Sequence, residues 1–232
     1  MARYTVAYSS FVSRLEEVEI LRKFAAQKER KDPIILRGEI NALSRGAIVL
    51  LSSHLEAYIK ELGELALDSL HRNRVPRNNL TSAFFYHISK DIIDEMKDTS
   101  GPDKIGEKIF NFLNRDQFIW SRNGAFPDPI QSERFNKGFA NPAYNKIKSY
   151  FGRFGYSEFQ SDLSTKMRGD FHPAKNMVDH LVDVRNKIAH GDPSATKTPA
   201  EVNDIAILVK KFCKETDVVF SNWWRDKFCS IR

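Results

Sequence analysis

The chain has 232 residues, enough to bury a substantial core as one large domain or two small ones. Its hydrophobic fraction of 41% and charged fraction of 28% are ordinary for a globular protein, and a formal net charge of +6 suits an anionic partner without requiring one. Two widely separated cysteines, Cys213 and Cys229, exclude a disulfide framework and a cysteine zinc site and read as reduced thiols. No apolar run approaches the roughly 18 residues of a membrane span. The start, Met1-Ala2-Arg3-Tyr4, lacks the apolar core and cleavage signal of a secretory leader, so the cytoplasm is the expected location.

From about Ser9 to Lys28, Phe11, Leu15, Val18, Leu21 and Ala25 recur at helical spacing, which predicts a first amphipathic helix. Its basic tail, Lys28 to Lys31, reads as a solvated helix end running into the turn signal Asp32-Pro33. The longest helical pattern of the N-terminal half runs from about Ile40 to His71. Leu43, Ala47, Leu50, Leu51, Leu55, Tyr58, Ile59, Leu62 and Leu65 make so broad a stripe that the helix is expected at the centre of a bundle. His54 and Glu56 interrupt the stripe: the first reads as a satisfied core or interface histidine, and the second either lies on the exposed edge or requires a cation.

Between Arg72 and Pro142 the pattern loosens. Arg72, Arg74 and Arg77 surround Pro76 in a polar connection, Leu80 to Met96 predicts one short helix, and Asp103 to Leu113 predicts another. Arg115 to Asn141 has no period and reads as a long loop. Its aromatics Phe118, Trp120, Phe126, Phe135 and Phe139 either stack bases beside Arg122, Arg134 and Lys137 or pin the loop to the core, and the second is the commoner use of such side chains. Asn141-Pro142 reads as a helix start with proline at the first position, followed by Ile147, Tyr150, Phe151 and Phe154.

Met177, Leu181, Val184 and Ile188 form one apolar face of a further helix, which Gly191 ends and Pro193 keeps from resuming. Its end carries Arg185-Asn186-Lys187-Ile188-Ala189-His190, where a permanent cation, an amide and an imidazole meet the negative end of the helix dipole. Such a set offers a phosphate clamp and a proton-transfer group. Spacing alone also permits a capping cation and a surface histidine. Residues five apart on a regular helix point about 140° away from each other, so the two join one site only if the last turn is distorted or a second copy completes it. Asp170, His172, Asp179, His180 and Asp183 lack metal-ligand spacing, and no metal or cofactor is expected. Thr198-Pro199-Ala200-Glu201 then opens a last helix through Val202, Ile205, Val209, Phe212, Thr216, Val219 and Trp223. No strand alternation, repeat, phosphate-binding glycine loop or serine elbow is present.

The pattern Arg-Asn-x-x-x-His-Gly and the wider run LVDVRNKIAHGDPSATKTPAEV resemble the signature of the HEPN superfamily of helical ribonucleases, in a stand-alone bacterial branch related to the RiboL-PSP-HEPN family. Arg45 to Lys60 and Asn141 to Gly155 fit the same branch. The resemblance implies an all-α bundle forming a single domain over residues 1–232, with N-terminal helices over 5–72, an irregular helical insertion over 73–142 and C-terminal core helices over 143–230. It implies a metal-independent endoribonuclease of toxin or phage-defence type that cuts single-stranded RNA by 2′-OH attack. Arg185 and His190 would be catalytic, Asn186 orienting, and Glu56 would hold Arg185, with Lys187, Arg72, Arg74 and Arg77 as candidate RNA contacts. A homodimer with facing motifs is implied, together with a possible antitoxin or defence-system partner and no membrane. A non-catalytic RNA- or nucleotide-binding partner subunit is the alternative. Some HEPN toxins are nucleotidylated on a tyrosine two residues after the motif histidine, and here that position is Asp192.

Overall fold

Thr5 opens the first helix, its Oγ accepting the Tyr8 N–H at 3.2 Å. In the computed structural model, which describes residues 4–232, this helix α1 spans Val6–Lys31. Met1, Ala2 and Arg3, part of the leader expectation, lie outside the described residues. Asp32 ends α1 and turns the chain: its Oδ1 accepts the N–H groups of Ile34 at 3.0 Å and Ile35 at 2.9 Å. The central helix α2 then runs over Arg37–Arg72, a rod of 36 residues and about 54 Å. It buries Ala47, Ile48, Leu51, Leu55, Tyr58, Ile59, Leu62 and Ala66 completely, as the breadth of its apolar stripe requires.

Helix α1 lies antiparallel against α2, with Arg14 bidentate on Glu61 at 2.6 and 2.7 Å near one end and Lys28 paired with Glu39 near the other. His54 is buried against α1, its Nε2 3.2 Å from a Glu17 carboxylate oxygen but out of line for a hydrogen bond. Burial lowers its pKa below the ordinary histidine value, partly offset by Glu17.

Two more long helices complete the layer. Numbering in chain order, α9 is Phe171–Ala189 and α10 is Pro199–Lys227, and both pack on α2. Helix α10 begins in a full capping box, with Thr198 and Glu201 satisfying each other's backbone N–H groups. Its far end returns to the start of the chain, where buried Asp217 accepts the Thr5 N–H at 3.1 Å and the Thr5 hydroxyl. Tyr58 donates to the Cys213 carbonyl at 2.9 Å and Trp224 to Ser69 Oγ at 2.9 Å, locking α10 to α2.

The middle of the chain departs from expectation at four points. The single helix expected over Leu80 to Met96 is two, α3 (Ser82–Ile88) and α4 (Lys90–Lys97). They part at buried Ser89, whose Oγ donates to Asp116 Oδ2 at 2.7 Å and accepts Trp120 Nε1 at 3.0 Å. Helix α5 extends over Pro102–Trp120, beyond the expected end at Leu113, and a short α6 (Ser132–Asn136) lies within the expected loop. Helix α7 (Tyr144–Arg153) starts after Asn141-Pro142 rather than at it, because Asp179 of α9 supplies the cap, accepting the Tyr144 N–H at 2.8 Å. Helix α8 (Phe159–Met167) leads back to α9. Among the described residues there is no strand, and the fold is all-α. One cluster of buried apolar side chains runs from Ala7 through Phe84, Phe126 and Phe135 to Trp224.

Asp116 has no exposed surface, and burial alone would raise its carboxyl pKa. Hydrogen bonds from Arg134, Ser89 and Arg115 outweigh burial and hold it below the ordinary aspartate value. Because the folded pKa is depressed, the stabilisation is complete above the unfolded value of about 3.9 and is lost as pH falls through the folded one. Acid is therefore expected to loosen α4 and α5 ahead of the bundle as pH falls below about 3.9, and Asp116→Asn to abolish that step. Amide hydrogen exchange across this range would reveal it, and identical acid profiles for the two proteins would count against it.

Candidate active site

Helix α9 remains regular through Ala189 and closes in a Schellman turn. His190 is the cap residue, the Gly191 N–H bonds to the Ile188 carbonyl at 3.1 Å, and the Asp192 N–H bonds to the Lys187 carbonyl at 3.0 Å. Gly191 sits at φ +78°, the left-handed conformation this turn demands. The loop beyond is tied to α2 by Arg45, whose Nη1 donates to the Asp192 carbonyl at 2.8 Å. Asp192 itself takes the Ser194 hydroxyl at 2.7 Å and N–H at 2.8 Å, and these bonds lower its carboxyl pKa. His190 is thus presented to solvent on a fixed backbone.

Arg185 is half-buried, and its Nη1 donates to Asn141 Oδ1 at 2.8 Å and to Asn186 Oδ1 at 3.1 Å. Both acceptors are neutral amides. Among the described residues no carboxylate forms an ion pair with Arg185, so its charge is positioned but not neutralised. Contrary to expectation, Glu56 does not pair with Arg185. Glu56 spends one oxygen on Lys60 Nζ at 2.7 Å and the other on the Asn141 N–H at 3.2 Å, and so reaches Arg185 only through Asn141. A lysine one turn along α2 satisfies the carboxylate locally, and Asn141 occupies the space between.

Asn141 is marked in the sequence only as the residue before a proline and as the start of a segment that fits the family, neither of which points to this role. Its backbone adopts φ +54°, which asparagine tolerates better than most residues, and this aims its amide at α9 while its N–H meets α2.

The arginine group is not brought to this site. Arg72 and Arg74 are exposed at the far end of α2, about 24 Å from Glu56 at 1.5 Å per residue between positions 56 and 72. Arg77 is 7% exposed, and its guanidinium is consumed by the carbonyls of Phe118, Asn123 and Gly124 while stacking 5.6 Å from the Phe126 ring centre. It is an internal clamp on the segment after α5, not an RNA contact: three carbonyls with no helix or sheet partner attract a five-donor fork. Phe126, Phe135 and Phe139 are likewise buried and pin that segment, whereas Phe118 and Trp120 stay partly exposed. Lys187 is exposed beside the motif.

Asp170 pairs with Lys211 and Asp179 with Lys175, and no cluster of three or more potential ligands lies among the described residues. No helix among them is long and apolar enough to cross a membrane.

The divergence inherent in a five-residue spacing persists, since α9 is undistorted up to its cap. One chain therefore offers an anchored cation and a separate exposed imidazole.

No curated protein and no solved structure matches the chain. A family model described as RiboL-PSP-HEPN matches residues 9–222, which include most of α1, the motif and most of α10. With nearly its whole length so matched, this all-α chain belongs to the RiboL-PSP-HEPN family.

Proposed function

We propose that the protein is a metal-independent endoribonuclease that cuts single-stranded RNA and serves as a toxin or phage-defence effector. The observation that carries this reading is the uncompensated guanidinium of Arg185, fixed by two amide oxygens on the helix that ends in exposed His190. A cation so held favours a phosphate.

In the reaction the ribose 2′-oxygen attacks the adjacent phosphorus, its proton passing to a histidine base. The bond from phosphorus to O5′ breaks, and an acid returns a proton to O5′. The products are a cyclic phosphate and a 5′-OH fragment. A base, an acid and a cation around one phosphorus suffice. Homodimerisation with the two motifs facing each other supplies both histidines and both arginines, and so resolves their divergence within one chain. Asn186 orients the phosphate or the guanidinium, Lys187 adds a phosphate contact, and Glu56 acts through Asn141. An antitoxin or a defence-system partner would hold such an enzyme in check. The test is incubation of labelled single-stranded RNA with purified protein in EDTA: cleavage by wild type but not by the Arg185 and His190 variants is expected, and an inert wild type would reject the reading.

The same divergence favours one alternative, a binding subunit in which Arg185 holds RNA or a nucleotide and no catalysis occurs.

Asn141 separates positioning from binding. Asn141→Ala is expected to lower kcat by about 10–100-fold through misplacement of Arg185, with RNA affinity little changed. Asn141→Asp would pair a carboxylate with Arg185 and weaken RNA binding itself. Single-turnover cleavage and filter binding distinguish the two, and identical behaviour of both variants would contradict the assignment.

A further inference from the structure

Away from the motif, the segment following α5 encloses a cavity of about 280 Å³, walled by Phe118, Phe126 and Ile130, with Asp128, Gln131 and Arg134 around it. Three features restrict its occupant. Its volume lies just below the roughly 300–1,000 Å³ of drug-sized ligand pockets, so it has room for one ring system. Phe126 and Ile130 are 5% and 9% exposed, but Phe118 leaves 46% of its surface in water, and among the described residues it enters no aromatic ring pair. The third feature is the polar edge. Arg134 is anchored by the buried Asp116 carboxylate at 2.5 Å, whereas Asp128 enters no ion pair among the described residues.

We propose that this cavity is a base-reading site for guanine. A guanine stacked on Phe118 presents adjacent N1–H and N2–H donors, which a carboxylate accepts together, and O6 and N7 acceptors, which a guanidinium or an amide serves. Asp128 supplies the first complement, and Arg134 and Gln131 supply the second. Adenine and uracil lack the paired donors, and cytosine offers N4 alone. The two charges of opposite sign in the lining thus select among bases, while the apolar walls hold any of them.

A short stretch of chain joins this cavity to the motif. Just past Arg134, Asn136 donates to Glu64 of α2 at 2.9 Å, and Asn141 rests on Glu56 of the same helix. Those two anchor points are about 12 Å apart at 1.5 Å per residue between positions 56 and 64. A guanine bound in an RNA strand would therefore fix where that strand is cut, a role that rests on the nuclease reading. Binding of the base does not rest on it.

The test is calorimetric titration of the full chain with guanosine and cytidine 5′-monophosphates, and with two short 2′-O-methyl single strands that differ only by one guanine-to-cytosine change. The methylated strands cannot undergo 2′-OH attack. A preference of about tenfold or more for guanine is expected in the nucleotide pair, the strand pair or both. A preference in the nucleotides alone identifies a free nucleotide as the ligand, and one in the strands alone identifies RNA. Asp128→Asn should erase the preference with unchanged melting, because the side chain is exposed, and Phe118→Ala should weaken binding of every base while the protein stays folded, because nearly half of the ring's surface is already in water. Equal affinity for guanine and cytosine, or wild-type binding by both variants, would overturn the proposal. Guanine preference in a protein that cleaves no RNA would uphold this site and reject the nuclease.

Discussion

His190→Ala is expected to slow cleavage of single-stranded RNA by about 10²–10⁴-fold, the usual contribution of a positioned acid or base. Its fold should be unaffected, since the side chain lies in solvent and the Schellman turn is made by backbone groups of Lys187, Ile188, Gly191 and Asp192. Arg185→Ala should cost about 10²–10³-fold through loss of charge stabilisation. Arg185→Lys should recover little of it, because an ammonium keeps the charge but cannot bond Asn141 while turning a planar fork to a phosphate. Mixing the two alanine variants adds a test of the two-fold arrangement. If one chain's arginine works with the partner's histidine, heterodimers regain one intact site and part of the activity. If a site takes both groups from one chain, mixing restores nothing. Activity retained by His190→Ala alone would remove the imidazole from the mechanism.

Gly63→Ala is expected to be the most damaging single methyl in the molecule. Gly63 lies in the middle of α2, where glycine is unfavourable by about 1 kcal/mol relative to alanine, so a packing reason must outweigh propensity. A Cβ there would lie 2.0 Å from the Tyr150 hydroxyl oxygen and 2.9 Å from its ring carbon. Tyr150 has nowhere to go: it is fully buried, bonded through its hydroxyl to Asn136, and packed against Phe135, Phe139 and Phe151. Overpacking plus the orphaned hydroxyl amounts to about 3 kcal/mol, or roughly 6–12 °C in Tm for a chain of this size. The double variant Gly63→Ala/Tyr150→Phe should recover part of the loss, since the clashing oxygen is removed. Thermal melting measures both, and a Gly63→Ala protein melting within about 2 °C of wild type would show that α2 and α7 separate easily.

The long helices were legible because burial on one face repeats at helical spacing: the stripe from Ala47 to Leu65 marks α2, and Thr198 with Glu201 marks the start of α10. What periodicity missed depends on partners remote in sequence. Ser89 breaks the helix expected over Leu80 to Met96 because it bonds Asp116, and Pro142 fails to open α7 because Asp179 caps Tyr144 instead. Arg77 looks like a surface cation among polar neighbours until Phe118, Asn123 and Gly124 turn their carbonyls toward it. The same distinction runs through the candidate site. Arg185, Asn186, His190 and Gly191 stand together in one helix end and were visible as a group. Asn141 was not, since its part follows from a left-handed backbone that joins α2 to α9. The expected Glu56–Arg185 pair does not form, because nothing in spacing reveals that Lys60 and Asn141 take the carboxylate oxygens.

The chemistry of the cut ends tests the central claim most directly. Single-stranded RNA labelled at either end and digested by wild-type protein in EDTA should yield fragments ending in a cyclic phosphate and beginning with a 5′-OH, because the ribose hydroxyl is the nucleophile. Fragments bearing 5′-phosphates and free 3′-OH groups, or cleavage that EDTA abolishes, would contradict a metal-independent site built on Arg185 and His190.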